Sequence, residues 1–373
     1  MSEQGPAHAQ GETEDTRHDR SDDATPDRLE SDVKRRHPFD AVLMISFGGP
    51  QGPKEVRPFL TNVLRGRRVP PERIEEVAHH YELFNGVSPL TAITERQAAG
   101  VRQRLHTRGL TLPVYIGMRN WHPFLGDTLR QMAADGVRRA VGLILAAHRS
   151  YSSCGQYRDN VLQARAELRA AGLTPIQITY VNDWHLEPGY IDAITWQIHQ
   201  ARIQLSLAHR KDAHFVFTAH SIPESMPAAD TYKAQLLQTA AMVAQRLVTK
   251  NWTLVFQSRS GRPEDPWVGP DVNGYLRQAK ADGVNAVVVS PIGFVCDHIE
   301  VLFDLDVEAR ATADEIGLEM VRASSVNWHP HFLDALANAV VDLIEKYRGR
   351  RPLTIVSADA PNARELPPII TSL

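Results

Sequence analysis

The fold class is decided by the stretch Asp40-Ala41-Val42-Leu43-Met44-Ile45-Ser46-Phe47-Gly48-Gly49-Pro50. An unbroken apolar run ends here in two glycines and a proline, which are residues that favour turns. A short apolar run that is bounded by turn residues indicates a strand buried on both faces. We therefore predict that this stretch forms the first strand of a parallel sheet.

Further apolar runs and helical segments alternate after this strand. The runs are 113–117, 140–146, 175–181, 214–219, 253–256, 286–291 and 318–322. Helical segments, with apolar residues three and four positions apart, include 124–134, 156–171, 190–207, 232–248, 300–312 and 332–347. Strands that alternate with helices predict an α/β fold in which parallel β-sheets are flanked by helices.

The length and one internal similarity favour two lobes. A chain of 373 residues is typical of two ordinary domains. Ala134-Asp135-Gly136-Val137 and Ala281-Asp282-Gly283-Val284 each lead into a predicted strand. This similarity reflects either an internal duplication or the same helix-to-strand turn formed twice. We predict lobes at residues 38–172 and 173–350, with the last helix packing on the first lobe.

Composition excludes several classes of protein. The net charge of −3 provides no basic field for nucleic acid, and two cysteines are too few for a disulfide framework. No apolar run approaches the roughly 18 residues of a membrane span. We predict tails at 1–37 and 351–373, and the charge of −4 in the first 36 residues predicts disorder there. A signal-type apolar segment is missing, so we expect a cytoplasmic protein without integral membrane association.

Common catalytic motifs are missing from the sequence. It contains no Walker A motif, no dinucleotide-binding glycine fingerprint, no GxSxG and no HExxH. Phosphoryl transfer, hydride transfer and serine hydrolysis are therefore disfavoured. Because ligands of parallel sheets bind beyond the carboxyl ends of the strands, the polar residues after each apolar run are the candidates for function.

An imidazole and a carboxylate follow two of the predicted strands. His220 ends one apolar strand, and Asp297-His298-Ile299-Glu300 follows another. A single histidine is commonly a hydrogen-bonded structural residue, but an imidazole with a carboxylate can hold a transition metal and leave coordination positions open. The imidazole can also accept a proton near neutral pH. The pair therefore predicts transfer of a metal ion rather than its storage.

Each of the other polar and aromatic side chains near these loops allows two interpretations, one functional and one structural. Glu300, Asp304 and Glu308 are four residues apart and would share a helix face, which is either a solvated acidic surface or a path that guides a cation. Arg119 is a supporting candidate that would meet carboxylates of a ligand, or a loop arginine without a specific role. Four aromatic residues lie in or near these loops. They either offer flat surfaces to a flat ligand or belong to the core; they are Trp121, Tyr151, Tyr157 and Trp267.

Seven motifs, in this order, resemble the ferrochelatase family over about residues 39–347. The motifs are Ser46-Phe47-Gly48-Gly49-Pro50, Tyr81-Glu82-Leu83-Phe84-Asn85-Gly86-Val87-Ser88-Pro89-Leu90, Gly117-Met118-Arg119-Asn120-Trp121-His122-Pro123, Tyr151-Ser152-Ser153-Cys154, Phe217-Thr218-Ala219-His220-Ser221-Ile222-Pro223, Phe256-Gln257-Ser258-Arg259 and Gly293-Phe294-Val295-Cys296-Asp297-His298-Ile299-Glu300. The resemblance implies a chelatase-like fold of two Rossmann-like lobes with a porphyrin cleft between them.

The resemblance also implies roles for individual residues. His220 and Glu300 match the residues that bind ferrous iron, and His220 would accept the pyrrole protons. The other matches are Asp297 and His298 as supporting residues, Ser88, Tyr157 and Phe47 at the porphyrin, and Asp304 and Glu308 in a series of acids that guides the metal. The implied enzyme is a lyase-class metal chelatase that needs no organic cofactor, because Fe²⁺ is its substrate.

Within the family, the motifs are most similar to the actinobacterial type that uses coproporphyrin III. The segment 62–78, at the expected rim of the cleft, is rich in Arg, Glu and Pro, which favours that water-soluble substrate. Phe47 stands where some members have an axial tyrosine, and Leu64 where some have an arginine. Cys154 matches one ligand of the [2Fe–2S] cluster of some relatives, but no cysteine follows Cys296, so we expect no cluster.

The expected reaction is insertion of Fe²⁺ into coproporphyrin III in haem biosynthesis, with release of two protons. The product would pass to the next enzyme of the pathway in a transient contact. Alternatives are a ferrochelatase for protoporphyrin IX, a porphyrin or haem carrier that inserts no metal, and a chelatase for another metal such as cobalt.

Overall fold

The computed structural model describes residues 37–66, 69–260 and 264–348. In these ranges the strands are β1 Ala41–Ser46, β2 Val114–Met118, β3 Arg139–Ile144, β4 Gln177–Tyr180, β5 His214–His220, β6 Trp252–Gln257, β7 Ala286–Ser290 and β8 Glu319–Arg322. Each of the eight apolar runs of the sequence forms one of these strands. The predicted tails, 1–37 and 351–373, lie outside the described residues except for His37.

Helices connect the strands. They are α1 Val56–Val63, α2 Pro71–Glu82, α3 Leu90–Thr107, α4 Leu125–Ala134, α5 Gln156–Ala170, α6 Pro188–Arg202, α7 Ala229–Arg246, α8 Val272–Ala281, α9 Ile299–Val301, α10 Arg310–Glu315 and α11 Pro330–Lys346. Two π-helical segments, Tyr151–Gly155 and Leu302–Ala309, precede α5 and α10. The segment 300–312, predicted as one regular helix, is therefore mostly a π-helix, a form that is frequent at functional sites.

The strands form two parallel four-stranded sheets with the same order. The first is β2-β1-β3-β4 and the second is β6-β5-β7-β8. Gly136 and Gly283 follow α4 and α8, have φ of 82° and 89°, and lead into β3 and β7. The two Ala-Asp-Gly-Val motifs thus occupy the same topological position, which favours the duplication hypothesis. The structure confirms the predicted fold of parallel sheets flanked by helices.

The change from one sheet to the other lies later than the sequence suggests. Strand β4 pairs with β3 from Arg139↔Gln177 to Gly142↔Tyr180, so the chain remains in the first sheet beyond the predicted boundary at 172/173. Gly172 follows the end of α5 and precedes β4, so the turn signal near Leu173 marks a helix end within the first lobe. Helix α11 packs against both α3 and α6.

One apolar core joins the two sheets. It contains Val42 and Met44 of β1, Phe215 and Phe217 of β5, and Leu336 of α11, all buried. Burial of each such side chain contributes about 1.5–3 kcal/mol. Because this core holds the two sheets together, the loops at their carboxyl ends keep fixed positions. The division into two separate lobes stays a prediction.

Candidate active site

The imidazole of His220 and the carboxylate of Glu300 face each other. His220 is the last residue of β5, and Glu300 lies in α9, after the loop that follows β7. His220 Nε2 lies 3.8 Å from Glu300 Oε2, and the two side chains are 36% and 42% exposed. This separation is too long for a hydrogen bond, and it is a few tenths of an ångström longer than the roughly 3.4 Å between two ligands of one tetrahedral ion at about 2.1 Å.

Backbone contacts orient the ring of His220. Its Nδ1 is hydrogen-bonded to the carbonyl oxygen of Ser221, which can only accept, so Nδ1 carries the proton and Nε2 of the neutral ring has a lone pair. The Tyr232 hydroxyl donates to the carbonyl oxygen of His220 at 3.1 Å. The Ser221 hydroxyl donates to the carbonyl oxygen of Val268 at 2.6 Å. The ring therefore presents an accepting nitrogen on the side of Glu300.

His298 supports the helix that carries Glu300. The backbone N–H of Glu300 donates to His298 Nδ1 at 3.2 Å, so the imidazole caps α9. Burial lowers the pKa of His298, and the nearby imidazole of His220 lowers it further, while the carboxylates of Glu300 and Asp297 oppose this. Burial and the charge of His220 both favour the neutral form of the His298 ring, which can accept this hydrogen bond. The position of His298 beside Glu300 fits the supporting role that the sequence predicts.

Hydrogen bonds join the carboxylate of Asp297 to residues that end or follow β8. Its carboxylate accepts from Arg322 Nη1 at 2.9 Å, from the backbone N–H of Ser325 at 3.0 Å and from Asn327 Nδ2 at 2.8 Å. Arg322 also donates to both carboxylate oxygens of Asp306, at 2.5 and 2.8 Å. Since these donors occupy its carboxylate, Asp297 supports the site by anchoring the loop before Glu300.

The acids after Glu300 differ in their surroundings. The carboxylate of Asp304 accepts from the Ser258 hydroxyl and from Gln257 Nε2, the latter at 3.3 Å. Burial raises the pKa of Asp304 to about 7; the hydrogen bond from Ser258 opposes this, and the charges of Glu300 and Glu308 add to it. Glu308 is exposed, yet partial burial and Asp271 raise its pKa as well. Asp304 is thus no part of a solvated acidic surface.

Two aromatic residues of the first lobe lie near this group. Phe47 follows β1, is partly buried and meets the Phe59 ring edge-on at 6.2 Å. Tyr157 of α5 is 6% exposed. Burial raises the pKa of Tyr157, while the charge of Arg119 lowers it and that of Glu300 raises it. The phenol therefore lies within electrostatic range of both lobes' charged groups.

Ser88 is closely packed against the turn after β1. It is 4% exposed, and its hydroxyl accepts from the backbone N–H of Leu90 at 3.4 Å, at the start of α3. A Cβ on Gly49 would lie 2.6 Å from Ser88 Cβ, and Gly48 has φ of 88°. The double glycine is therefore required for both backbone conformation and close approach. In this arrangement the Ser88 hydroxyl is hidden from the solvent.

Arg119 and Trp121 follow β2 and differ in role. Arg119 Nη1 donates to Gln156 Oε1 at 2.6 Å, which joins this loop to α5. Trp121 is 2% exposed and packs in one cluster with Phe59 and with Ile299 of the second lobe. Its Nε1 donates to Glu55 Oε2 at 2.6 Å. The structure therefore supports the interpretation of Trp121 as a core residue.

Sequence reasoning assigned no role to three residues near the site, although Gln257 and Ser258 belong to one of the seven motifs and only Arg322 was not singled out. Gln257 and Ser258 bind Asp304, and Arg322 binds Asp297. Each follows or ends a strand, β6 or β8, which is the signal that could have found them. The rule selects Gln257 because it ends a strand. A neutral amide, however, indicates no particular function as long as its acidic partner is unknown.

Residues 37–66, 69–260 and 264–348 contain no group of three or more His, Cys, Asp or Glu side chains that could hold a metal ion. In the same ranges no helix is both long and apolar enough to cross a membrane. Cys154 and Cys296 are free thiols, and burial raises the pKa of both. With two cysteines in the sequence, a cluster with four cysteine ligands cannot come from this chain alone.

Comparison with solved structures shows a similar fold. The fold is similar to that of SirB from Bacillus subtilis, described with Fe³⁺, with a TM-score of 0.50 and 13% identity. The match covers 83% of this chain and 97% of SirB. At this identity the likeness concerns the fold alone. The imidazole of His220 and the carboxylate of Glu300 follow two strands of the second sheet, β5 and β7.

The sequence comparisons show the family. The ferrochelatase family model matches residues 39–343. The coproporphyrin III ferrochelatase of Streptomyces coelicolor is 42% identical over 336 residues, which are 86% of this chain and 89% of that protein. The ferrochelatase of Rhodopirellula baltica is 41% identical over 310 residues, 83% of this chain and 87% of that protein. The chain belongs to the ferrochelatase family, as the seven motifs indicated.

Proposed function

We propose that this chain is a coproporphyrin III ferrochelatase, a lyase-class metal chelatase that inserts Fe²⁺ into coproporphyrin III during haem biosynthesis. The observation that carries the proposal is the approach of His220 Nε2 to Glu300 Oε2, 3.8 Å apart, in a chain of this family. The reaction replaces the two pyrrole protons of the ring by one ferrous ion, so two protons must leave for each iron that enters.

His220 accepts the pyrrole protons. Its Nδ1 is hydrogen-bonded to the Ser221 carbonyl oxygen, so the neutral ring has its lone pair on Nε2. This nitrogen can accept a proton from a pyrrole N–H, as imidazoles do in general acid–base catalysis. Glu300 holds the incoming iron, because carboxylate oxygens bind divalent metals and its side chain is 42% exposed. The pair thus separates the two tasks of the reaction between two adjacent groups.

Asp304 and Glu308 supply iron to Glu300. They follow it on the π-helix Leu302–Ala309, with Glu308 exposed and Asp304 partly buried. A cation that meets Glu308 at the surface can pass to Asp304 and then to Glu300. The opposing charges of a metal ion stabilise the ionised carboxylates that burial disfavours.

Phe47, Ser88 and Tyr157 form the first-lobe side of the porphyrin site. A planar ring hides its four nitrogens from an approaching ion, so the protein must hold the ring in a bent form. Binding energy from the ring edges and carboxylates offsets this distortion. Phe47 is partly buried and packs against the cluster that contains the buried Tyr157, so its ring offers a supported apolar surface for that purpose.

The rim of the site favours coproporphyrin III over protoporphyrin IX. Helix α2 overlaps the segment 62–78 and carries exposed ion pairs: Arg73 with Glu76 at 2.6 Å, and Glu75 with Arg57 of α1 at 2.6 Å. A charged rim suits a substrate with four carboxylates that stays in water. Curated relatives with about 42% identity carry the name coproporphyrin III ferrochelatase. A cytoplasmic location and a transient contact with the next enzyme stay predictions.

Anaerobic turnover of the purified full chain tests the proposal. Ferrous iron is added with coproporphyrin III or protoporphyrin IX, and loss of free-porphyrin fluorescence is followed. We expect faster insertion into coproporphyrin III, and a loss of about 10²–10⁴-fold in His220→Ala with porphyrin binding retained. His209→Ala, which removes a surface imidazole paired with Glu319 at 2.7 Å, is the matched control and should keep full activity.

Each other outcome has a defined meaning. Full activity in His220→Ala would overturn the assignment of the proton acceptor. A preference for protoporphyrin IX would keep the chelatase and exclude the coproporphyrin branch. Porphyrin binding without iron insertion by the wild type would favour a carrier, or a chelatase for another metal if cobalt were inserted instead.

A further inference from the structure

A cavity of about 360 Å³ lies beside the end of α6. This volume is within the range of about 300–1,000 Å³ that is usual for small-molecule sites. The lining side chains come from the last turn of α6 and from the segment between α6 and β5; they are His199, Arg202, Ile203, Leu207, Arg210 and Lys211. None of these six residues is acidic and three are cationic. The cavity, named here the α6 pocket, therefore favours an anionic ligand.

The α6 pocket lies far from the candidate active site. Its residues precede β5, and the Arg202 guanidinium lies 5.8 Å from the ring centre of Phe215, near the start of that strand. His220 is the last residue of β5, whose seven residues span about 20 Å at roughly 3.3 Å per residue. A ligand in the α6 pocket would therefore occupy a second site, at the amino edge of the second sheet.

Backbone carbonyl groups hold the two guanidinium groups of the pocket in place. Arg202 donates from Nε to the carbonyl oxygen of Arg210 at 2.8 Å, and from Nη2 to that of Lys211 at 3.3 Å. Arg210 Nη2 donates to the carbonyl oxygens of Ile203 and Leu205, at 2.6 and 2.9 Å. Within the described residues neither arginine pairs with a carboxylate. Their charges are thus positioned but not neutralised, which suits the carboxylates of a ligand.

Arg210 also keeps an unpaired donor. Its Nε is buried and has no hydrogen-bond partner in the part of the chain that the structure describes. Since buried polar atoms are normally paired, this nitrogen is a second indication of a polar ligand. Lys211 is exposed and adds a third positive charge at the rim.

Apolar and imidazole side chains complete the pocket. Ile203 and Leu207 are 56% and 83% exposed, so a bound molecule can cover a large apolar area there. His199 is exposed and shares a helix face with Arg202 and Ile203, which follow it by three and four residues. Imidazole nitrogen is a common ligand of iron. The pocket thus combines cations, an apolar surface and a metal ligand.

We propose that the α6 pocket binds the product of the reaction, coproporphyrin III that contains iron. The product has four carboxylates for the cations, apolar faces for Ile203 and Leu207, and an iron whose axial position His199 can fill. The metal-free substrate has no iron, so the imidazole allows the pocket to distinguish product from substrate. Product held there leaves the candidate active site open to the next substrate. This inference rests on the proposed function, because that function defines the product.

Titration of the full chain with ferric coproporphyrin III, followed by absorbance at fixed ionic strength, tests the α6 pocket. We expect two binding steps, one for each site. His199→Ala should raise the Kd of the second step at least about tenfold, because the iron–imidazole bond is lost. Lys211→Glu should raise it about fivefold, because a charge that attracts carboxylates becomes one that repels them. Metal-free coproporphyrin III should show the first step alone.

Two variants are matched controls for the second step. His106→Ala removes an exposed imidazole from the last turn of α3, and Lys233→Glu reverses an exposed charge near the start of α7. Both should keep the second step of the wild type, and so should His220→Ala, which alters only the candidate active site. Melting temperatures verify that each variant is folded; Lys211→Glu decides the question if His199→Ala does not fold.

The outcomes separate the pocket from the proposed function. A wild type that inserts iron but shows no second step, or a second step that His199→Ala and Lys211→Glu leave unchanged, overturns the pocket and keeps the function. A second step with the same Kd for metal-free and ferric coproporphyrin III also overturns the pocket as a product site. If the wild type inserts no iron but binds ferric coproporphyrin III through His199, the function is overturned and the pocket stands. A wild type with neither iron insertion nor a second step overturns both.

Discussion

The two sides of the candidate site rest on sheets with the same strand order but carry different chemistry. On the side of the second sheet, His220, Glu300 and Asp304 are ionisable and held by hydrogen bonds. On the side of the first sheet, Phe47 and Ser88 are packed among neighbours and offer no ionisable group. The comparison teaches that the repeated scaffold fixes where a site lies, whereas the loops decide what it does.

The two sides also differ in how their loops are held. The loop before Glu300 is anchored by ion pairs, from Asp297 to Arg322 and from Arg322 to Asp306. The turn after β1 is anchored by close packing, with Gly49 against Ser88 and Phe47 against Phe59. Ion pairs therefore hold the loop of the second sheet, and close packing holds the turn of the first sheet. Variants that remove one kind of anchor should therefore have unequal effects.

The largest effect is expected from Arg322→Met. The side chains of Arg322 and Asp297 are 12% and 15% exposed, so the change leaves a largely buried carboxylate without its cation. Removal of one partner of such a pair costs about 3 kcal/mol or more. We expect the free energy of unfolding in urea to fall by this amount and iron insertion to fall with it, since the Glu300 loop loses its anchor.

Arg277→Met is the matched control for this prediction. Arg277 pairs with Glu315 at 2.7 Å, but the two side chains are 48% and 65% exposed. Pairs of this kind contribute about 0–1 kcal/mol. Equal losses of stability in the two variants would show that the Asp297 pair does not anchor the loop.

A smaller, pH-dependent effect is expected from Asp304→Asn. The pKa of Asp304 is about 7 in the folded protein against an ordinary value of 3.8, so between these values the folded state binds more protons than the unfolded state. Stability of the wild type therefore falls as the pH rises through this window. Because asparagine does not titrate, the variant should gain about 2 kcal/mol relative to the wild type between pH 4.5 and pH 8.

Melting temperatures at the two pH values measure this gain. Asp314→Asn, on the exposed surface of α10, is the control and should follow the wild type at both pH values. If the difference between Asp304→Asn and the wild type stayed constant or shrank with rising pH, burial would not govern this carboxylate.

The sequence predicted the fold for physical reasons, and it singled out His220 and Glu300, whose side chains lie 3.8 Å apart in the structure. Strands buried on both faces, such as β1 and β7, are continuous apolar runs that can be recognised without tertiary information. His220 and Glu300 stand out because ionisable residues directly follow such runs. The motifs also identified the family, since their order along the chain is itself information.

What the sequence missed depends on contacts between distant segments. The boundary at 172/173 was placed too early because a helix end and a lobe end produce the same turn signal. The acidic series looked like a regular helical face, but the π-helix and the hydrogen bond from Ser258 to Asp304, 46 residues apart, change its character. The pairing of Arg322 with Asp297 likewise requires the packed second sheet. Local sequence patterns do not indicate which distant residues will pair in the folded protein.

The smallest effect is expected from a pair of serine variants, one on each side of the site. Ser88→Ala removes an acceptor that holds the Leu90 N–H at 3.4 Å, a long hydrogen bond, so the free energy of unfolding should fall by less than about 1 kcal/mol. Ser258→Ala removes a donor to the buried carboxylate of Asp304, which opposes the effect of burial. We therefore expect Ser258→Ala to raise the pKa of Asp304 and steepen the fall of stability toward pH 8, whereas Ser88→Ala should leave the shape of that pH profile unchanged. Identical profiles for the two variants would mean that the hydrogen bond from Ser258 does not influence the pKa of Asp304.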